Sequence, residues 1–209
     1  NIMAESLLSY ALTTVAREKT RLTITVSTHD TILLYLINSV TDFIEGECNR
    51  RFKETTYTNE VYSIQGQGNN FLNLKQSPVS SVTSLQYRAG LKSNPNWTEF
   101  VADDWELLED GVSGIIELHG SFPQGGNGIR ASYVAGYKIN FSNYGDMTTH
   151  TLPADLTDLA ERLAIKLFKR REAEGKARED FNGGSITWKD LLNHEDTETI
   201  NKYKRVNFF

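Results

Sequence analysis

The chain has 209 residues, of which 39% are hydrophobic and 11% aromatic, and it carries 22 Lys and Arg against 27 Asp and Glu. This composition excludes a disordered chain, which would have fewer aromatic residues and a larger charge imbalance. The net charge of -5 argues against a protein whose main affinity is for nucleic-acid phosphates. The length is typical of one domain with an elaboration, or of two small domains.

Membrane and secretion signals are weak. No segment approaches the roughly 18 to 20 apolar residues of a membrane span, and Glu5 stands where a signal peptide carries positive charge. We therefore expect a soluble, non-secreted protein with no membrane partner. The single cysteine, Cys48, lies at an apolar position of a predicted helix, which predicts a buried, inert thiol.

The first regular pattern is helical. An N-terminal arm over residues 1–11 precedes a short predicted helix that starts near Thr13 or Thr14 and ends by Thr20. Apolar residues then recur at helical spacing and predict an amphipathic helix over residues 28–51, with Ser27 and Asp30 as a capping box. Together these elements form the first part of a helical unit, residues 12–54.

From Thr55 the period changes to alternation, interrupted at short intervals by turn residues such as Asp110-Gly111. This pattern predicts an antiparallel sheet domain of about six strands within residues 55–150. Pro153 and a following apolar stripe predict a last helix within residues 151–179. Two amphipathic helices that flank a sheet imply a sheet inserted into a helical unit, an α+β fold, with an extended polar tail over residues 180–209.

No catalytic or metal-binding motif is present in the sequence, so we expect no enzyme activity, cofactor or metal. The four histidines are scattered, and there is no phosphate loop or nucleophile elbow. Acidic residues between Asp103 and Asp110 alternate with Trp105, Leu107 and Leu108, which favours a solvated strand face over a calcium or glycosidase site.

The last helix has a basic side. Arg162, Lys166 and Lys169 fall on one side of the predicted helix, with no acidic residue between Arg162 and Arg171. This side is either a solvated face, supported by an Asp158–Arg162 pair, or a surface that meets a polyanion or an acidic partner.

Several stretches, in their order and spacing, resemble the head-to-tail connector (adaptor) proteins of tailed bacteriophages. The resemblance covers about residues 12–175, with a weaker echo at NKYKRV in the tail. The stretches are LTTVAREKTRL at 12–22, DTILLYLINSVTDFIEGECNRRF at 30–52, TYTNEVYSIQG, LNLKQSPVSSVTSLQYR at 72–88, GIIELHGSFPQG, IRASYVAGY with its Tyr-x-Ala-Gly-Tyr ending at 133–137, and LPADLTDLAERLAIKLFKRRE at 152–172.

The resemblance implies a structural virion protein that is not an enzyme. Typically twelve copies form a ring below the portal protein, in the neck of the virion, after assembly in the host cytoplasm. Such a ring continues the DNA channel, lets the genomic DNA pass without sequence-specific binding, and provides the attachment platform for stopper or tail proteins.

Within such a ring, three surfaces are predicted. A ring needs two different complementary faces, and the first long helix is apolar around much of its circumference, so Ile32, Leu34 and Tyr35 are predicted subunit contacts. Arg162, Lys166 and Lys169 are predicted to face a partner protein or the channel. The tail is predicted to dock on the portal through aromatic and basic anchors: Phe181, Trp188, Tyr203, Lys204, Arg205, Phe208 and Phe209.

Three alternatives remain open at the level of sequence. Another neck or tail-completion protein, such as a stopper, should lack the paired helices that flank the sheet. A carbohydrate-binding module would expose Trp97 and Trp105 side by side. An enzyme acting on cell wall or nucleic acid would use Asp103, Asp104 or Glu106.

Overall fold

The computed structural model describes residues 6–64, 69–89, 96–123, 125–176 and 191–205. The chain divides into a helical unit, drawn from Asn1–Arg50 and Ile139–Asn207, and a β unit, drawn mainly from Arg51–Lys138. The predicted α+β fold, with a sheet inserted between helices, is confirmed. The insertion ends at Lys138 rather than at residue 150, because residues 139–150 belong to the helical unit.

Helix α1 spans Val15–Leu22, close to its predicted position. Thr14 caps it, since the side chain accepts a hydrogen bond from the Arg17 N–H at 3.4 Å. The described part of the N-terminal arm lies against the second helix of the chain, α2, which spans Asp30–Cys48. The Leu8 N–H donates to Asn38 at 3.0 Å, and the Leu12 N–H donates to Thr41 at 3.2 Å.

Helix α2 spans Asp30–Cys48 and ends at Asn49, whose left-handed conformation closes the last turn. The predicted capping box at its start is wrong. Ser27 instead opens a 3-10 turn over Ser27–His29, and the Asp30 N–H donates to the Ser27 carbonyl. The Asp30 carboxylate pairs with Lys19 at 2.7 Å, and His29 occupies the N-cap position of α2 without a side-chain hydrogen bond to the helix.

The core of the helical unit lies between α2 and α3, which spans Ala154–Lys176. Residues of α2 at helical spacing are buried, and the same is true of the stripe on α3. The buried apolar residues are Leu33, Ile37, Val40, Ile44 and Cys48 on α2 and Leu156, Leu159, Ala160, Leu163, Ala164 and Phe168 on α3. Helix α4, His194–Tyr203, packs on both and adds Ile200 and Tyr203 to this core.

The presence of α4 corrects the predicted extended tail. Asn193 and Asp196 form a capping box at its start, with the Asp196 N–H donating to Asn193 at 2.7 Å. Only Ile200 and Tyr203 supply buried apolar side chains within this helix. Two apolar positions in ten residues are too few to predict an amphipathic helix from periodicity.

The described part of the β unit contains seven antiparallel strands in two sheets, against about six predicted. One sheet has the order β1-β7-β3-β4 and the other has the order β2-β6-β5. The strands are β1 Thr55–Ile64, β2 Phe71–Asn73, β3 Val79–Ala89, β4 Asn96–Glu99, β5 Trp105–Leu107, β6 Ile115–Leu118 and β7 Gly125–Ala135. Strand β5 lies where the alternation of Trp105 and Leu107 with acidic residues predicts a strand.

The two sheets share one hydrophobic core. Leu85 of β3 and Ile129 and Tyr133 of β7 pack in the same buried cluster as Leu72 of β2 and Ile116 of β6. Successive residues of a strand point to opposite faces of the sheet. Each sheet therefore has an inner face toward this core and an outer face turned away from it.

The Tyr-x-Ala-Gly-Tyr ending of β7 has a backbone explanation. Gly136 has φ +114°, and a Cβ at this position would lie 2.6 Å from the Lys53 carbonyl oxygen. The close approach allows the Tyr137 N–H to donate to the Phe52 carbonyl at 2.6 Å, and the Glu54 N–H to donate to the Tyr137 carbonyl at 2.8 Å. A side chain at Gly136 would separate these two segments.

Candidate assembly surfaces

The apolar surface of α2 extends beyond the core of the helical unit. Leu33 and Ile37 are fully buried, whereas the neighbouring Ile32 and Leu34 are half-buried and Tyr35 is 44% exposed. The three predicted subunit contacts therefore lie at the edge of the core, where apolar surface remains accessible. Their role in an interface stays a prediction.

The basic side of α3 faces α4 of the same chain. Arg162 pairs with Asp158 at 3.2 Å, as the sequence predicts, and also with Glu195 at 2.8 Å and Asp196 at 3.2 Å. Lys166 pairs with Asp196 at 2.5 Å and donates to the Leu191 carbonyl at 3.0 Å. The carboxylates of α4 thus compensate the charges of Arg162 and Lys166.

Lys169, the third member of the predicted basic side, is exposed on α3. It lies beyond the segment of α3 where Arg162 and Lys166 meet the start of α4. A partner or channel role of these three cations stays a prediction, and Lys169 is the member whose side chain remains accessible.

The far end of α4 is tied to the start of α3. The Tyr203 hydroxyl donates to Asp155 at 2.7 Å, and Lys202 donates to the other oxygen of the same carboxylate at 2.6 Å. Burial alone would raise the pKa of Asp155, but these hydrogen bonds lower it below its ordinary value. Tyr203, a predicted portal anchor, is only 9% exposed and belongs to the core of its own unit.

The chain after α4 continues past the end of α2. The Arg205 N–H donates to the Cys48 carbonyl at 2.9 Å, while the Cys48 thiol contacts the Ile200 carbonyl at 3.6 Å. Burial raises the pKa of the Cys48 thiol to about 11, and the predicted buried thiol is confirmed. Lys204 is exposed and Arg205 is half-buried. The other four predicted anchors, Phe181, Trp188, Phe208 and Phe209, lie outside the described residues.

Sequence reasoning missed a buried charged cluster between α1 and α3. Glu161 of α3 is 3% exposed and accepts from Thr13 at 3.0 Å, from Arg17 at 2.5 Å and from Arg21 at 3.0 Å. Glu18 is fully buried, and neither of its carboxyl oxygens has a hydrogen-bond partner among the described residues. Burial, together with the charge of Glu161, raises the pKa of Glu18 to about 8, so the carboxyl group is mostly protonated at neutral pH.

Arg17 also contacts a loop that precedes α3. Its guanidinium lies 4.3 Å from the ring centroid of Tyr144, which in turn lies 4.7 Å from the ring of His150. The Asn140 N–H donates to Nδ1 of His150 at 3.0 Å. Burial and the nearby charge of Arg17 lower the pKa of His150, so this histidine is a neutral packing residue.

The β unit has its own buried polar cluster. The hydroxyls of Tyr62 and Tyr133 donate to the same oxygen of Glu60, at 2.5 and 2.6 Å, and lie 3.2 Å from each other. The Lys75 N–H donates to the Tyr62 hydroxyl at 3.2 Å. Burial raises the pKa of both tyrosines, which keeps the two hydroxyls protonated as donors.

The two tryptophans of the carbohydrate-binding alternative lie in different sheets. Trp97 lies on β4 of the four-stranded sheet and Trp105 on β5 of the three-stranded sheet, and both are half-buried. Trp105 packs against the shared core. Among the described residues, no group of three or more His, Cys, Asp or Glu could hold a metal ion. None of the described helices has the length and hydrophobicity that crossing a bilayer requires.

Among the solved structures that share this fold are three chains of gene transfer agent (GTA) particles. A chain of the neck of the native GTA particle, computed with C12 symmetry, matches with a TM-score of 0.57 and 20% identity, over 98% of this chain and 94% of that chain. A chain of the virion of the native particle matches with a TM-score of 0.53 and 19% identity, over 98% and 95%. A chain of the neck of the empty particle, computed with C6 symmetry, matches with a TM-score of 0.50 and 20% identity, over 93% and 90%.

No family model and no curated protein matches the chain. At about 20% identity, the likeness to these neck and virion chains establishes a common fold. It extends over nearly the whole of both chains, so it includes the helical unit and the inserted β unit together.

Proposed function

We propose that this chain is the head-to-tail connector (adaptor) protein of a tailed, phage-like particle. Twelve copies of the chain form a ring in the neck below the portal and continue the DNA channel toward stopper or tail proteins. The observation that supports this proposal most is the fold shared over 98% of the chain with a component of a neck computed with C12 symmetry. The role is structural, and the proposal assigns the chain no catalytic step.

A second observation favours a connector over a stopper or tail-completion protein. Helices α2 and α3 lie on either side of the β unit in the sequence and pack on each other in the helical unit. A connector is expected to have this paired-helix arrangement, and a stopper is expected to lack it.

The direct test is electron cryo-microscopy of particles that contain this chain. We expect a ring of identical subunits on the channel axis, in contact with the portal. A ring one position further from the head would identify a stopper instead, and a peripheral or monomeric location would refute the neck assignment.

We also propose that the C-terminal segment, residues 180–209, docks on the portal. Truncation after Arg178 is a poor test, because it also removes α4, which buries Ile200 and Tyr203. Lys204→Glu with Arg205→Glu, and separately Trp188→Ala, leave α4 in place. We expect these variants to form rings but to bind portal at least tenfold more weakly, and unchanged portal binding by both would refute the docking role.

Fewer cations of the basic side of α3 are available for a partner than the sequence suggests. Arg162 and Lys166 hold α4, so Lys169 is the candidate for contact with a neighbouring protein or with DNA in the channel. A protein contact is the preferred role, because contacts repeated around a ring add up. A Lys169 side chain that points into the lumen of an assembled ring would assign it to DNA instead.

A further inference from the structure

The outer face of the four-stranded sheet is basic. Val61 of β1, Arg130 of β7 and Gln86 of β3 are cross-strand neighbours in register, so all three lie in one row on this face. Arg88 of β3 and Trp97 of β4 form the adjacent pair in register. We call Val61, Arg88, Trp97 and Arg130 the basic face.

Contacts with groups other than carboxylates hold Arg130 of the basic face in place. The Arg130 guanidinium lies 4.4 Å from the ring centroid of Trp97, and its Nε donates to Gln86. Glu99 is on the same face, but it accepts hydrogen bonds from the Leu85 N–H at 2.9 Å and from Gln86 at 2.6 Å. Among the described residues, neither arginine forms an ion pair.

The outer face of the three-stranded sheet is acidic. Phe71 of β2, Glu117 of β6 and Glu106 of β5 are cross-strand neighbours in register, and their neighbours Ile116 and Leu118 point into the core. Phe71 is 43% exposed. We call Phe71, Glu106 and Glu117 the acidic face.

The acidic face carries little positive charge of its own. Glu117 accepts from Asn70 at 2.9 Å, and a carboxylate oxygen of Glu106 lies 3.8 Å from Nε2 of His119. The exposed Asp103 and Asp104 directly precede β5 and add to its negative charge.

The two faces are turned away from one shared core, carry opposite charge, and each contains an exposed aromatic or aliphatic side chain. A heterologous interface, in which one face of a subunit meets a different face of the next, generates a ring when its rotation closes. Opposite charges across such an interface favour the correct register, and aromatic residues and arginine are enriched in interface centres.

We propose that the acidic face of one subunit packs against the basic face of a second copy of this chain, a contact that rests on the ring proposed above. Each subunit then gives one face to each of its two neighbours. The partner is another copy rather than nucleic acid, because a polyanion would use the basic face alone and leave Phe71 and the acidic face without a role.

A charge exchange tests this contact. The variant R88E/R130E makes both faces of a subunit acidic, and E106R/E117R makes both faces basic. In a ring of either variant alone, like charges meet at every contact. In an equimolar mixture, strict alternation of the two variants places opposite charges at every contact.

Native mass spectrometry of the full-length protein measures the fraction of subunits in rings. If the wild-type ring forms only on particles, the measurement is the fraction of particles whose neck contains the ring. We expect each variant alone to lose at least tenfold in ring formation, and the mixture to recover most of the wild-type level. Circular dichroism and thermal unfolding monitor the fold, and E47R/E198R in the helical unit is the control that matches the charge change of E106R/E117R.

The outcomes separate the contact from the proposed function. If the wild-type chain forms rings and each variant alone forms them equally well, the proposed contact is wrong, but the proposed ring is not affected. Variants that fail to assemble and are not rescued by mixing would also overturn it. Rings that persist while R88E/R130E loses binding to DNA would reassign the basic face to nucleic acid. A wild-type chain that forms no ring, in solution or on particles, would refute the ring itself.

Discussion

Lys166 of α3 donates a hydrogen bond to the fully buried Asp196 of α4, with Nζ and Oδ2 2.5 Å apart. Arg162, one turn earlier on α3, forms an ion pair with the other oxygen of the same carboxylate at 3.2 Å. The same carboxylate also accepts the Asn193 N–H at 3.1 Å in the capping box. Asp196 thus joins two cations of one helix to the start of another.

Replacing Asp196 by Ala should destabilise the helical unit strongly. The change leaves Lys166 without its carboxylate, removes one of the three carboxylates that pair with Arg162, and removes half of the capping box. Both cations are partly exposed, so we expect a loss near the lower end of the range for a broken buried ion pair, about 3 kcal/mol. Chemical denaturation measures the loss in the free energy of unfolding. Glu195→Ala is the control, because this exposed carboxylate pairs only at the surface with Arg162 and should cost less than about 1 kcal/mol. Equal losses in the two variants would contradict the central position of Asp196.

The stability of the helical unit should fall as the pH rises from about 4.5 to about 8. The pKa of Glu18 is about 8 in the folded chain against an ordinary value of 4.5, so the folded state binds more protons than the unfolded state in this range. Protonated Glu18 is compatible with burial beside Glu161, whereas its charged form is not.

Glu18→Gln keeps the shape of the side chain and removes the titration. We expect it to raise the free energy of unfolding at pH 8 by on the order of 1 to 3 kcal/mol, and to have little effect at pH 4.5. Thermal unfolding across this pH range gives the comparison. A variant whose stability depends on pH as the wild type does would show that Glu18 is not the titrating group.

The shared acceptor Glu60 makes the two tyrosine hydroxyls of the β unit interdependent. Tyr133→Phe removes one donor and should cost about 1 to 2 kcal/mol of stability. A double-mutant cycle with Tyr62→Phe should give a coupling energy above 0.5 kcal/mol, because both hydroxyls donate to the same oxygen and lie 3.2 Å apart. Additive effects of the two changes would argue against a single network.

The elements that the sequence predicts well are those with long periodic patterns. Helices α2 and α3 have apolar stripes several turns long. The change from helical spacing to alternation at Thr55 coincides with the first residue of β1. The ion pair of Asp158 with Arg162 is also predictable, since four residues along a helix fix its geometry.

The partners of the basic side could not be predicted, because they depend on contacts distant in the sequence. Asp196 lies 30 residues from Lys166, and α4 has only two buried apolar side chains that could mark it in the sequence. From the sequence alone, Glu18 and Glu161 would be expected at the surface. The packing of α1 on α3 buries both of them. The outer faces of the β unit likewise depend on register between strands, which local alternation does not fix.

Tyr35 offers the sharpest test of the predicted subunit contact on α2. The side chain is 44% exposed, so Tyr35→Glu should change the stability of the isolated subunit by less than about 0.5 kcal/mol. In the proposed ring the same change would bury a carboxylate in an apolar contact, and we expect at least a tenfold loss of ring formation. Sedimentation velocity and native mass spectrometry measure the distribution of oligomers. Met147→Glu is the control in the same unit, because Met147 is 73% exposed and lies outside α2. If the Tyr35 variant forms rings as readily as this control, α2 does not contribute to the interface at this position.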